Sequence, residues 1–151
     1  IGDPMSEEET KNFMKNNDNN LLIRLGLIDE KGKPNVIPLA YYFDDNSNKI
    51  YINTPKTTKK VHNLRENNVV AYCIDDPKPP FKGVRGKGVV KIHEDVSHNI
   101  PIAKKFIMKN IGSMDNPNAK WLLTEIEKGN VVILEITPSY YSTWRSAIPV
   151  K

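Results

Sequence analysis

Apolar and polar positions alternate in short blocks along the chain. Ser6 followed by Glu9 forms a capping box, Phe13 and Met14 supply a small apolar face, and together they predict a short helix over about 6–16. Polar Asn16 to Asn20 breaks it. Leu21 to Ile28 is apolar apart from Arg24 and Gly26, Asp29 to Lys33 is a turn cluster, and Asn35 to Phe43 is apolar and aromatic again. That order reads as strand, glycine-containing turn, strand. Asp44 to Asn48 is a second turn, and Lys49 to Asn53 alternates as a third strand. Thr57 or Thr58 caps a helix through about Asn67, with Val61 and Leu64 facing inward. Val69 to Ile74 is a strand, and Asp75 to Pro80, with three prolines, is a loop. Lys82 to His93 puts Val84, Gly86, Gly88, Val90 and Ile92 on one face and Arg85, Lys87, Val89 and Lys91 on the other. A helix from about His98 to Ile111 stops at Gly112. Asn116-Pro117 opens another, with Ala119, Leu122, Leu123 and Ile126 at helical spacing and Gly129 closing it. Val131 to Ile136 is a buried strand, and Tyr140 to Arg145 is a candidate for one more.

Consecutive strands with short turns predict a mainly β, antiparallel sheet or barrel with short flanking helices. Pro38 sits inside the second strand. It marks either an edge position or a place where the strand leaves its partner to admit a ligand.

The 151 residues fit one domain, read here as 5–151, because Met5-Ser6-Glu7 resembles a natural start and Ile1 to Pro4 a remnant before it. No apolar run approaches the ~18 residues of a membrane span. The single cysteine, Cys73, excludes an internal disulfide framework and any multi-cysteine metal site, and a reducing cytoplasm is the expected setting. Cys73 lies among apolar neighbours and reads as core. The net charge of +4, from 22 basic and 18 acidic residues, permits nucleic-acid binding without demanding it. The basic residues cluster. Residues 56–65 carry Lys56, Lys59, Lys60 and Arg65, residues 82–91 carry Lys82, Arg85, Lys87 and Lys91, and neither segment contains an acid. Two basic segments around an anionic ligand fit this better than a wholly basic surface. His62, His93 and His98 stand at no metal-ligating spacing, so no metal is expected. Tyr41, Tyr42, Tyr51 and Tyr72 lie on strands and read as packing, with stacking on a bound ring as the alternative.

The stretch from Tyr51 to Arg65 is the most informative. A strand ends in a hydroxyl-rich turn, and a helix begins with threonines and lysines in its first turn. A helix N-terminus has unpaired N–H groups and partial positive charge, so it attracts an anion and disfavours lysine. Lys59 and Lys60 make sense there if a phosphate meets them. A solvated basic helix with an ordinary threonine cap is the other reading.

Gly32 to Leu39, Ile50-Tyr51-Ile52-Asn53-Thr54, Lys60 to Arg65, Val69 to Tyr72 and Gly86-Lys87-Gly88 occur in the order and spacing of a known family. Over residues 18–95 the chain resembles the pyridoxamine 5'-phosphate oxidase-like FMN-binding split-barrel family, and the C-terminal third matches loosely. The resemblance implies a six-stranded antiparallel split barrel that forms a homodimer with FMN at the subunit interface. It implies that Asn53, Thr54, Thr58 and Lys60, with Lys59 nearby, hold the FMN phosphate. It places Pro38, Leu39 and Ala40 along the isoalloxazine, Arg85 and Lys87 towards the phosphate or the ring's pyrimidine edge, and Trp144 and Arg145 over the ring from the partner subunit.

The expected function is therefore an FMN-dependent oxidoreductase acting on a small-molecule substrate, with no catalytic acid or base nominated. The chain is shorter than the vitamin-producing oxidase and lacks its arginine-rich C-terminal signature, so that particular activity is not expected. A deazaflavin is the alternative cofactor. The alternative functions are a flavin or deazaflavin carrier or sensor, and a small basic barrel binding single-stranded nucleic acid by stacking and phosphate contacts.

Overall fold

The computed structural model describes residues 3–15 and 20–146. Most of the polar break after the first helix, the C-terminal end of the predicted domain and the first two residues of the predicted remnant lie outside them. The elements are α1 (Glu7–Lys15), β1 (Ile23–Ile28), β2 (Pro34–Leu39), β3 (Tyr42–Asp44), β4 (Lys49–Pro55), α2 (Lys59–Glu66), β5 (Val69–Asp75), β6 (Lys82–His93), α3 (Val96–Asn110), α4 (Pro117–Glu127) and β7 (Val131–Arg145). No helix among the described residues is long and apolar enough to cross a membrane.

The strands form one antiparallel sheet in the order β2-β1-β5-β6-β7-β4-β3. Its two edge strands, β2 and β3, are consecutive in the chain and joined through Ala40 and Tyr41 alone. A two-residue link brings the sheet's edges near each other at that end, so the sheet rolls up without closing. The strand count departs from the expected six. The apolar run 35–43 breaks at Ala40-Tyr41 into β2 and β3, which lie at opposite ends of the sheet, giving seven strands. Tyr140 to Arg145 is no separate strand. It continues β7, whose register against β6 shifts between Lys87 and Gly88, and this irregularity lets one strand bend with the rolled sheet.

Pro38 stands opposite Arg24 on β2, so the edge reading is the correct one. Gly32 closes the β1–β2 turn with φ +76, a conformation side chains other than glycine's rarely adopt.

The inward faces of the strands bury Ile23, Leu25, Ile50, Ile52, Ile74, Val84, Leu134 and Ile136, and α1 and α2 add Phe13, Met14, Val61 and Leu64 to the same core. Fully buried Tyr41 donates its hydroxyl to the Met14 carbonyl at 2.7 Å and so pins α1 beneath the link between the edge strands. A smaller core joins α3 and α4 through Ala103, Ile107, Ala119, Leu122 and Ile126, and reaches the sheet at Val131.

Candidate functional site

The cradle predicted from the sequence is a cleft of about 770 Å³ between the β1–β2 turn and the start of α2. Thr57, Thr58, Lys59, Lys60, His62 and Asn63 line one side, and Asp29, Lys31, Asn35 and Ile37 are on the other. The hairpin's contribution was not anticipated.

The α2 N-terminus has an unusual hydrogen-bond balance. Thr58 occupies the N-cap position, yet its side chain makes no capping bond. Its hydroxyl instead donates to the Pro55 carbonyl at 3.0 Å and lies 3.5 Å from that of Thr54. The first-turn N–H groups therefore lack a side-chain acceptor, and no acid lies in that turn. Burial pushes the Lys60 ammonium below its ordinary pKa, and among the described residues neither Lys59 nor Lys60 has an ion-pair partner. Two acids line the cleft. Asp29 spends its carboxylate on the N–H groups of Lys31 and Lys33, which hold its pKa down, and Glu30 lies 3.9 Å from His62. The α2 side of the cleft is cationic and donor-rich, with no side-chain acceptor on its N-terminus, which suits a phosphate.

The other nominated residues are distributed over the rolled sheet. Thr54 is buried beside Thr58. Asn53, its neighbour on β4, points to the opposite face, and its side-chain amide is buried with no hydrogen-bond partner. Leu39 and Ala40, both half-buried, lie at the end of β2 and in the link to β3. Arg85 and Lys87 line a second cleft, of about 500 Å³, on the outer face of the sheet with Arg24, Val36, Cys73 and Tyr140. Cross-strand pairing explains that grouping, since Val36, Gly26, Ala71, Lys87 and Tyr140 form one row across β2, β1, β5, β6 and β7. Adjacent residues of β2 thus serve two clefts, Val36 the outer one and Asn35 and Ile37 the cradle.

Trp144 packs its indole over Gly83, where any larger side chain would collide with it. Arg145 is engaged within its own chain, paired with Glu9 at 3.1 Å and donating to the Pro4 carbonyl at 3.3 Å. Cys73 is a free, half-buried thiol whose pKa burial raises.

The family model for pyridoxamine 5'-phosphate oxidase matches residues 6–145. The chain belongs to this family. Among solved structures, a conserved hypothetical protein from Mycobacterium tuberculosis matches this member over 97% of its chain and 92% of the other, at 20% identity and a TM-score of 0.78. An F420 reductase matches over 93% and 98% of the two chains, at 20% identity and a TM-score of 0.66. The haem storage protein of Vibrio cholerae matches over 92% and 93%, at 14% identity and a TM-score of 0.62. At these identities the likeness is one of fold, and the family fold hosts more than one cofactor chemistry. No curated protein matches the chain by sequence.

Proposed function

We propose that this family member is an FMN-dependent oxidoreductase that seats the cofactor's phosphate at the start of α2. The observation that carries the reading is the uncapped α2 N-terminus beside an unpaired, partly desolvated Lys60. A phosphate there accepts from the free N–H groups and from the Thr58 hydroxyl, and it neutralises Lys59 and Lys60. FMN, when bound, supplies the hydride or electron chemistry. The chain's part is to fix the phosphate, shield the ring from water along the β2 edge at Pro38, Leu39 and Ala40, and leave one ring face open to a small substrate.

The same reading makes the working unit a homodimer. The outer face of the sheet exposes Val36, Val69, Val89 and Tyr140, an apolar surface that a second copy would cover, with Arg24, Arg85 and Lys87 among them. Placing the ring at that interface gives Arg85 and Lys87 of β6 an anionic or carbonyl partner. The lone reduced thiol suits a cytoplasmic protein.

The likeness to an F420 reductase supports a second reading, in which the same groove takes a deazaflavin. A carrier or sensor without turnover would use the same groove. Tyr41, Tyr51 and Tyr72 are buried, so the nucleic-acid alternative would have to stack bases on the exposed Tyr140 and Tyr141 instead.

Fluorescence titration of the purified chain with FMN and, separately, with F420 tests the cofactor. Saturable FMN quenching and a yellow protein support the first reading, and binding of F420 alone supports the second. Binding of neither ends both. Light scattering of the loaded protein tests the dimer, and a monomer mass at micromolar concentration removes it.

A further inference from the structure

Away from the cradle, on the sheet face covered by α3 and α4, three metal-ligating side chains converge. His93 ends β6, Glu135 lies on the neighbouring β7, and His98 is in the first turn of α3. Each offers a ligand atom, and these atoms all lie within 4.8 Å of one another. The His93 Nε2 is 2.9 Å from Glu135 Oε2, and the two imidazole rings stack with centroids 3.9 Å apart. His93 and Glu135 expose only 13% and 15% of their side chains, so the pair is withdrawn from bulk water.

The hydrogen-bond network fixes which nitrogens are free. Asn99, 1% exposed, donates its amide N–H to the His93 carbonyl at 2.8 Å. A carbonyl only accepts, so the amide oxygen of Asn99 is the atom facing His98 Nδ1, at 2.8 Å. That oxygen also only accepts, so His98 carries its proton on Nδ1 and presents Nε2 as a bare lone pair. This is the orientation metal-binding histidines receive from a supporting hydrogen bond. Asn99 thereby ties the ring of one histidine to the backbone of the other. On the opposite side Lys49 lies 3.6 Å from Glu135 Oε1 and donates to Thr137 at 2.6 Å, which holds the carboxylate in place. The unpartnered Asn53 amide is on the same sheet face, in the row that contains Ile133 and His93.

We propose that His93, His98 and Glu135 form a binding site for a divalent transition cation of the zinc class. Two imidazoles and one carboxylate suit such an ion and leave a coordination position for water. The ion takes the place of the proton between His93 Nε2 and Glu135 Oε2; the Nε2 proton leaves to solvent while Nδ1 takes one up, so the ring binds as a neutral imidazole. Ligand atoms around a tetrahedral zinc stand about 3.4 Å apart, given metal–ligand distances of ~2.0–2.1 Å. The cluster therefore contracts by about an ångström, and the His98 ring turns out of its stack to aim Nε2 at the ion. Bound metal staples the start of α3 to β6 and β7.

The test uses untagged, chelator-treated protein titrated with Co2+, followed by visible absorption and by equilibrium dialysis, with Zn2+ added last. The expected result is one Co2+ per chain, tetrahedral-type visible bands, bleaching by Zn2+, and an affinity at least about tenfold weaker in both His98→Ala and Glu135→Gln. Glu135→Gln keeps the size of the side chain and an acceptor for His93, and His98 lies at a partly exposed helix start, so the two variants do not share a folding risk. Absence of stoichiometric uptake overturns the proposal. So does uptake by either folded variant at wild-type affinity.

Discussion

The starts of α2 and of the other helices are built from similar residues and do opposite things. In α1 the Ser6 hydroxyl accepts from Glu9 N–H at 3.1 Å, in α3 Asp95 accepts from Ser97 N–H at 3.1 Å, and in α4 Asn116 accepts from Asn118 N–H at 2.8 Å. In α2 the Thr58 hydroxyl turns away to Pro55, and two lysines follow where the macrodipole disfavours them. The capped starts are closed within the chain, and the uncapped one has no side-chain acceptor, a place that the proposed phosphate would fill. Two lysines extend the contrast. Lys60 and Lys109 both lose solvent without gaining an acid, but Lys109 donates to the Tyr41 carbonyl at 2.9 Å and lies 3.6 Å from the centroid of that ring. Lys109 is satisfied by its own chain, and Lys60 faces an open cleft.

The largest effect expected is that of Lys60→Glu. It removes one charge-assisted bond and adds a repulsion, so FMN affinity falls by at least about a hundredfold, from ~1.5–3 kcal/mol for the bond alone. A fluorescence titration that finds near-wild-type affinity breaks the contrast. Thr58→Asp installs the missing cap. The cofactor-free chain gains up to ~1 kcal/mol, read by urea unfolding, while FMN binding weakens at least about tenfold. A loss of stability together with unchanged binding contradicts the account. Asn116→Ala removes a cap that is closed within the chain. It costs ~1 kcal/mol in the same unfolding measurement and leaves FMN binding unchanged.

A separate, pH-dependent effect concerns Lys109. Burial holds its folded-state pKa at about 8, below the ordinary lysine value. Between the two values the unfolded chain binds the extra proton, so folded stability rises as pH climbs through that window and is flat in this respect below it. Lys109→Met removes that contribution, and the difference between the two stability–pH curves isolates it. Parallel curves for the two proteins would show that Lys109 keeps an ordinary pKa.

Much of this was legible in the sequence. The alternation of Lys82 to His93, the turn at Gly32 and the caps at Ser6 and Asn116 act within a few residues, and each marks an element the structure contains. The start of α3 was read two residues late because its cap, Asp95, lies in a stretch that also suits a turn. The split of the run 35–43 was hidden, since nothing local says that β2 and β3 pair with strands at opposite ends of the sheet. The basic half of the cradle was legible because Thr58, Lys59 and Lys60 are adjacent in the chain. Asp29, Lys31 and Asn35 reach it through the fold of another hairpin, and no spacing rule joins the two. The cluster of His93 and His98 was missed for the same reason. Its third member, Glu135, comes from β7 through strand pairing, and the two histidines meet because α3 turns back over the end of β6.

The central claim is that the start of α2 recognises a phosphate, and riboflavin differs from FMN by that group alone. Side-by-side fluorescence titrations of the wild-type chain give FMN an affinity at least tens of times higher, on the order of the ~1.5–3 kcal/mol of one charge-assisted bond. Equal affinity for riboflavin and FMN would contradict the account.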